Sequence, residues 1–222
     1  MLLDLNLRKK TVVVFGGGIV ATRKVVKLID ANARVTVVSS SFSPRLLTLR
    51  KRRKLSLRKT LIKEHSTSMN NLISQADLVV AATSESRINR GIASRARKAG
   101  IAVSLADNPM LSDFSFPATT KIGPVRVALY TEGKSPGMAG LIRRRLERII
   151  TKEDILQVEL QSYTRQFAKK ALLNQRTRKA VLFRITNDNK IRKLLKRGKL
   201  NQAKIMAQKI VTTSAKSQTR IN

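Results

Sequence analysis

A chain of 222 residues with 46 Lys and Arg against 13 Asp and Glu carries a formal charge of +33 and a pI near 11.7. It is long enough to bury a sizeable core in one or two domains. With no cysteine and a single histidine, His65, it has no residues for a disulfide framework, a thiolate or multi-histidine metal site, a thiol nucleophile or a His-based triad. His65 itself, in "LIKEHSTSMNN", reads as a surface residue. No stretch approaches the roughly 18 to 20 continuous apolar residues that span a bilayer, and "MLLDLNLRKK" lacks the order of regions in a signal peptide, so a cytoplasmic protein is expected. The charge must be solvated or matched by anions. Nucleic acid, a generally basic surface and a polyanionic small substrate all stay open, although the chain has no Trp and its six Phe and two Tyr are not interleaved with basic residues as in a stacking platform.

"TVVVFGGGIVATRK", residues 11–24, is a short β-branched run that breaks at three glycines and resumes with helical spacing at Val20, Val25, Val26, Leu28 and Ile29. Gly16, Gly18 and Ala21 spell G-x-G-x-x-A. In that pattern glycine permits the tight turn and close backbone approach to a pyrophosphate, and the small third residue permits close helix packing. Glycine turns also arise for steric reasons alone. A second strand at 34–38 completes a βαβ unit, but Ser39, Ser40 and Ser41 stand where an acidic residue normally meets the adenosine ribose. The residues here do not by themselves select NAD. Three hydroxyls with Arg45 nearby leave NADP open.

The basic run from Ser43 to Lys63 reads as a solvated helix end followed by an edge strand protected by charge, with a nucleic-acid stripe as the alternative. A short helix in "TSMNNLI" leads to a buried strand at 77–82, and Thr83 falls at its C-terminal end, where open α/β sheets bind ligands. "SRINRGIASRARKAG" is an amphipathic helix stopped by Gly100, and "IAVSLAD" is the next strand. This order predicts an α/β, Rossmann-like, doubly wound parallel sheet. Asp107 ends a strand expected to be central in that sheet, where a carboxylate could accept a proton as hydride leaves a substrate; Asp-Asn-Pro is also good turn chemistry. Beyond it, proline-rich segments with strand-like pieces at 114–120 and 125–131 read as an antiparallel extension of the sheet. A helix then starts with Ser135 as N-cap and Pro136 at its first position. From 151 the signals are helical, with Gly198 separating the last two helices and a frayed tail expected after Thr213.

"VVVFGGGIVATRK", "ADLVVAATSESRIN", "SLADNPMLSDFSFPA" and "ALYTEGKSPGMAGLIRRRLE" together resemble the precorrin-2 dehydrogenases, including the N-terminal half of bacterial siroheme synthase and the bifunctional dehydrogenase/ferrochelatase of yeast. The resemblance covers roughly the first 150 residues, and its most specific parts are Asp-Asn-Pro with the following Phe and Pro-Ala, then Gly-Lys-Ser-Pro before a basic helix. It implies NAD-dependent oxidation of precorrin-2 to sirohydrochlorin on the way to siroheme, with ferrous iron insertion by some members. It also implies a dinucleotide-binding domain at 1–116, a mixed strand/helix dimerisation segment at 117–150 that makes a homodimer, and a small all-helical C-terminal domain at 151–222.

By the same resemblance Asp107 is the essential acid, and Gly16, Gly17, Gly18, Ile19 and Val20 form the pyrophosphate loop, with Ser40 and Ser41 near the ribose. Thr131 aligns with a serine that can carry phosphate, although Tyr130 and Glu132 replace smaller residues common in the family. Lys134 and Ser135 are candidate contacts for substrate carboxylates, and capping explains Ser135 equally well. No metal ligand is assigned, because the macrocycle would supply the nitrogens. A polycarboxylate substrate gives some of the positive charge a purpose. The alternative function is a non-catalytic Rossmann scaffold whose basic surface binds RNA or another tetrapyrrole enzyme.

Overall fold

The structure, a computed structural model, describes residues 2–62 and 67–219, so His65 lies outside the described residues. The chain divides into two compact units, Met1–Phe116 and Pro117–Asn222.

The first unit alternates strand and helix: β1 (Thr11–Phe15), α1 (Ile19–Asp30), β2 (Arg34–Ser39), α2 (Pro44–Lys51), β3 (Ser56–Lys59), α3 (Thr67–Ser74), β4 (Leu78–Ala81), α4 (Ser86–Lys98) and β5 (Ala102–Leu105). All five strands are parallel in the order β3-β2-β1-β4-β5, the doubly wound arrangement expected. The period-2 alternation of side chains sends Val13, Phe15, Val79 and Val103 to one face, where they pack with Ile73 and Ile92 of α3 and α4. Val12, Val14, Val37 and Val80 go to the other, against Val25 and Leu28 of α1 and Leu46 of α2. A strand buried on both faces must be apolar throughout, which is why β1 reads as an unbroken hydrophobic run.

The basic run lies where a solvated edge was expected. Eight Lys and Arg between 45 and 59 occur without an acid, all are exposed, and none has an ion pair among the described residues. Leu57 points inward from the edge strand β3 while Arg58 and Lys59 stay in water, which discourages another strand from pairing there.

At the opposite edge the expectation fails. Residues 114–120 and 125–131 do not extend the sheet: in the second unit β6 (Ala118–Ile122) and β7 (Val125–Leu129) pair antiparallel with each other, Ala118 facing Leu129 and Ile122 facing Val125, as a separate two-stranded sheet. The reason is local. The outer edge of β5 is already filled, because the Asp113 N–H donates to Val103 O (2.9 Å), the Val103 N–H donates to Asp113 Oδ2 (2.9 Å), and the Leu105 N–H donates to Ser112 Oγ (2.9 Å). No free ladder groups remain there for the following strand to use.

The helices of the second unit are α5 (Pro136–Ile149), α6 (Lys152–Ala171), α7 (Gln175–Asn187), α8 (Asn189–Lys196) and α9 (Leu200–Thr219). The last four bury Leu160, Leu172, Ile185, Ile191, Leu195 and Val211 in one core. Their starts are capped as the sequence suggests. Thr151 and Asp154 form a reciprocal capping box on α6, Asn174 caps α7, and Asp188 accepts from the Lys190 and Ile191 N–H groups of α8. The expected fraying after Thr213 is corrected: α9 continues to Thr219. Thr212, Thr213 and Ser214 donate their hydroxyls to carbonyls four residues back, and Ala215 packs on the core, so this polar stretch is absorbed into the helix.

Candidate active site

The glycine corner follows β1 directly. Gly16 has φ +117°, and a Cβ there would lie 2.2 Å from the Ala82 carbonyl oxygen. A Cβ on Gly17 would lie 1.9 Å from Ser41 O, so β4 and the segment after β2 close on the first two glycines. Gly18 is different. Its φ is −80°, and a Cβ would meet nothing within 4 Å. It precedes α1, whose first turn has no acidic residue and no side-chain cap, so that helix start is uncapped. Ile19 and Val20 stand 70% and 50% exposed beside it, and Ala21 is buried where the helix meets the sheet. Two packed glycines, one open glycine and an uncapped helix start make a cradle that fits a dinucleotide pyrophosphate.

The other candidates of this unit lie in one row along the C-terminal edge of the sheet, laced by backbone hydrogen bonds from strand to strand. Gly16 N–H donates to Val38 O, Ala82 N–H to Phe15 O, and Ala106 N–H to Ala81 O, each at 2.8 Å. Ser39, Gly16, Thr83 and Asp107 therefore follow one another across β2, β1, β4 and β5; β5 is an edge strand of the sheet, so Asp107 does not end a central strand as expected. Asp107 stands two strand spacings from the glycine corner, about 10 Å, on the side away from β2. Ser39 is nearly buried, whereas Ser40 and Ser41 are exposed. The loop that carries them is tied to the corner: Ser43 N–H donates to Gly17 O (2.9 Å), and the Ser43 hydroxyl meets Thr22 Oγ1 at 2.8 Å.

Thr83 is held by a residue that sequence reading missed. Asn89, fully buried in α4, accepts from the Thr83 N–H (3.1 Å) and hydroxyl (2.7 Å) through Oδ1, while its Nδ2 donates to Thr83 O (3.3 Å). The signal was present, since Asn89 shares the helical register of Ile92, Ala93 and Ala96 and is a polar residue on an apolar face.

The Asp-Asn-Pro segment divides two roles between neighbours. Asn108 does the turn chemistry, its Oδ1 accepting the Leu111 N–H (3.2 Å). Asp113 does the structural work on β5 and also accepts from Arg97 at 3.1 Å. Asp107 is exposed, and its carboxylate has no hydrogen bond or ion pair among the described residues. It is available for chemistry.

Phe114 and Phe116 return from this loop to pack on the α1 side of the core, their ring centroids 5.7 Å apart, and Lys24 Nζ lies 4.4 Å from the Phe116 centroid. Burial, and after it the charge of Lys27, pull Lys24 down from 10.5 to about 8. The fold therefore releases this proton near pH 8 while the unfolded chain keeps it to about 10.5, so stability rises with pH across that interval. Attraction to the ring, about 1 kcal/mol, offsets only part of the burden. Lys24→Met is expected to raise the melting temperature at pH 7 by about 5 °C, the gain vanishing as pH approaches 10.5. A variant that melts below the wild type at pH 7 would refute this.

In the second unit Thr131, Lys134 and Ser135 meet in one turn before α5. The Thr131 hydroxyl donates to Ser135 O (3.2 Å), the Lys134 N–H donates to Thr131 O (2.8 Å), and Ser135 Oγ accepts the Met138 N–H (3.3 Å) as N-cap. Lys134 Nζ pairs with Glu132 at 2.9 Å, and Glu132 itself has φ +54°. The turn thus uses both hydroxyls internally and leaves the Lys134 ammonium partly neutralised at the surface.

The parallel sheet and its glycine corner define a Rossmann-type dinucleotide-binding protein, and a family profile described as "Putative NAD(P)-binding" matches residues 3–118. Over 186 residues the chain is 32% identical to a protein from Methanosarcina barkeri named precorrin-2 dehydrogenase, covering 83% of this chain and 81% of that one. It is 37% identical over 147 residues to a siroheme synthase of Nitrosomonas europaea, covering 66% of this chain and 30% of that protein. The chain belongs to the precorrin-2 dehydrogenase and siroheme synthase family. It spans about a third of the length of the siroheme synthases it matches. A solved structure titled SirC, precorrin-2 dehydrogenase, superposes with a TM-score of 0.73 over 94% of this chain and 99% of that one; at 20% identity that likeness concerns the fold. Among the described residues no helix is long and apolar enough to cross a membrane, and no cluster of His, Asp and Glu could hold a metal ion.

Proposed function

We propose that this chain is an oxidoreductase that oxidises precorrin-2 to sirohydrochlorin with NAD, in the formation of siroheme. The observation that carries the reading is the free Asp107 carboxylate in the same row as the glycine corner, beside an Asn108 and an Asp113 that are spent on structure. The names of the relatives supply the substrate. The α1 N–H groups and Gly18 would hold the pyrophosphate, Ile19 and Val20 would cover it, and Ser40 and Ser41 would meet the ribose. When bound, the nicotinamide accepts the hydride. Asp107 takes the accompanying proton, so the macrocycle loses one hydride and one proton. Asn89 acts on Thr83, keeping the turn after β4 in shape.

The same carboxylate would serve ferrous iron insertion by taking pyrrole protons, while the macrocycle's own nitrogens hold the metal. A siroheme spectrum that develops on adding Fe(II) to the product tests that step. We further assign 117–150 to a homodimer contact, since among the described residues β6 and β7 pair as a two-stranded sheet and Ile149 and Met138 are exposed on α5. Sedimentation as a monomer at micromolar concentration would remove that assignment. The unpaired strip from Arg45 to Lys59 supports a second reading, a scaffold that holds RNA, and absence of RNA binding at moderate salt would end it.

The dehydrogenase is tested by mixing the folded protein with freshly generated precorrin-2 and NAD and following reduced nicotinamide by absorbance. Reduction at enzyme-dependent rate is expected. None, with authentic substrate, would sink the proposal.

A further inference from the structure

We propose that Ser112 is a positioning residue for the dehydrogenation: its hydroxyl pins both ends of the short backbone corner that carries Asp107. The inference rests on the reading of Asp107 as the group that takes the proton. That carboxylate is exposed and has no hydrogen bond or ion pair among the described residues, so its aim is set by the main chain beneath it. On one side that chain is fixed, since Ala106 N–H donates to Ala81 O at 2.8 Å. On the other it turns away from the sheet, and there Ser112 ties it back.

Ser112 Oγ accepts the Leu105 N–H (2.9 Å) and lies 3.0 Å from Asn108 O and 3.2 Å from Leu105 O, either of which can take its single proton. Donation to the nearer carbonyl completes a bridge from Leu105 to Asn108, and Asp107 stands inside it. The serine is itself held in place. Its N–H donates to Pro109 O (3.1 Å), Asn108 Oδ1 accepts the Leu111 N–H (3.2 Å), and the adjoining Asp113 is bonded to Val103 through both its N–H and its carboxylate. Ser112 is half-buried, and alanine in its place would remove the acceptor of the Leu105 N–H and the donor to the Asn108 carbonyl together. The corner would then relax at the residue whose carboxylate must stay within hydrogen-bond reach of the departing proton. A misplacement of about 1 Å in such a group costs about 100-fold in rate. Asp113 meets the strand at Val103, farther from the corner, and so steadies the sheet edge rather than the acid.

The test is steady-state oxidation of precorrin-2 with NAD by the full chain, comparing wild type with Ser112→Ala, Ser112→Thr, Asp107→Ala and the Asp107→Ala/Ser112→Ala pair, with NAD dissociation constants and melting curves taken for each. Ser112→Ala should lose about 10- to 100-fold in kcat at a temperature where it is folded, with NAD affinity within about 2-fold of the wild type. Ser112→Thr, which keeps a hydroxyl, should recover most of that loss. In the Asp107→Ala background, removing the serine should cost less than about 2-fold, because a residue that acts through the carboxylate has nothing left to position. Should the alanine variant melt below the assay temperature, Ser112→Cys, which keeps the shape and weakens both bonds, is expected to show the same fall in kcat at constant NAD affinity. Wild-type kcat in the folded alanine or cysteine variant would overturn the inference. So would a full additive loss in the Asp107→Ala background, or a fall in NAD affinity as large as the fall in kcat, since either marks a general loosening of the fold. Ordinary turnover in Asp107→Ala would instead overturn the reading of Asp107 itself, and the inference with it.

Discussion

Gly16→Ala is expected to disrupt the first unit, and Gly18→Ala to leave it folded without its dinucleotide site. At Gly16 a methyl carbon would sit 2.2 Å from a backbone oxygen, on a residue with φ +117° that L side chains rarely adopt. Neither neighbour is a flexible side-chain end, so backbone must move, at a cost of more than about 4 kcal/mol. Against total stabilities of about 5–15 kcal/mol that is enough to lower the melting temperature by 10 °C or more. Gly17, with Ser41 O at 1.9 Å, should behave alike. At Gly18 the backbone is ordinary and the space is open, so alanine should shift stability by no more than about 0.5 kcal/mol. The added methyl occupies the place where a pyrophosphate approaches the chain, and affinity should fall about 100-fold. Melting curves and nucleotide titrations of the variants separate the two effects, and a Gly18→Ala protein that binds normally would disprove the cradle.

Asp107→Ala should abolish oxidation of precorrin-2 while melting like the wild type, and Asp113→Ala should be damaged chiefly in stability. The Asp107 carboxylate has no hydrogen bond or ion pair among the described residues, so under the proposed role its loss should act on proton transfer, by about 100- to 10,000-fold in turnover. Asp113 accepts from Val103 N–H and Arg97, and its removal strands a donor on β5 and a cation on α4, a loss of about 2–3 kcal/mol. Rates at saturating substrate, set beside melting temperatures, distinguish the pair. An Asp107→Ala enzyme with ordinary turnover would exclude it from the chemistry.

The parallel sheet was legible because the inner strands are largely apolar runs and two of the crossover helices carry signals of their own, Ser43 as the cap of α2 and Gly100 as the stop of α4. The glycine corner was legible because φ > 0 and close approach are demands that a single residue type meets. Features that join distant segments were not. Lys24 and Phe116 are 92 positions apart, and nothing in either neighbourhood announces the other. The hairpin was mistaken for a sheet extension because strand propensity at 118–129 says nothing about whether β5 has an edge left to offer. Fraying beyond Thr213 is the expectation for a terminal stretch, and the backward hydrogen bonds of the hydroxyls at 212–214 that keep it helical leave no mark in the sequence pattern. At 131–135 the sequence suggested contacts for an anion, yet Glu132 already marked a partner for Lys134.

The two edges of the parallel sheet are sealed by different means, and the difference matters on a chain still being made. At β3 the guard is in the strand itself: Arg58 and Lys59 are present from the moment the strand emerges. At β5 the seal is Ser112 and Asp113, which follow Leu105 by only a few residues and cover its ladder groups as soon as that stretch leaves the ribosome. Vectorial synthesis thus finishes each edge almost where it begins, and no nascent copy has to wait for its distant C-terminal helices before its sheet is closed to neighbouring nascent chains.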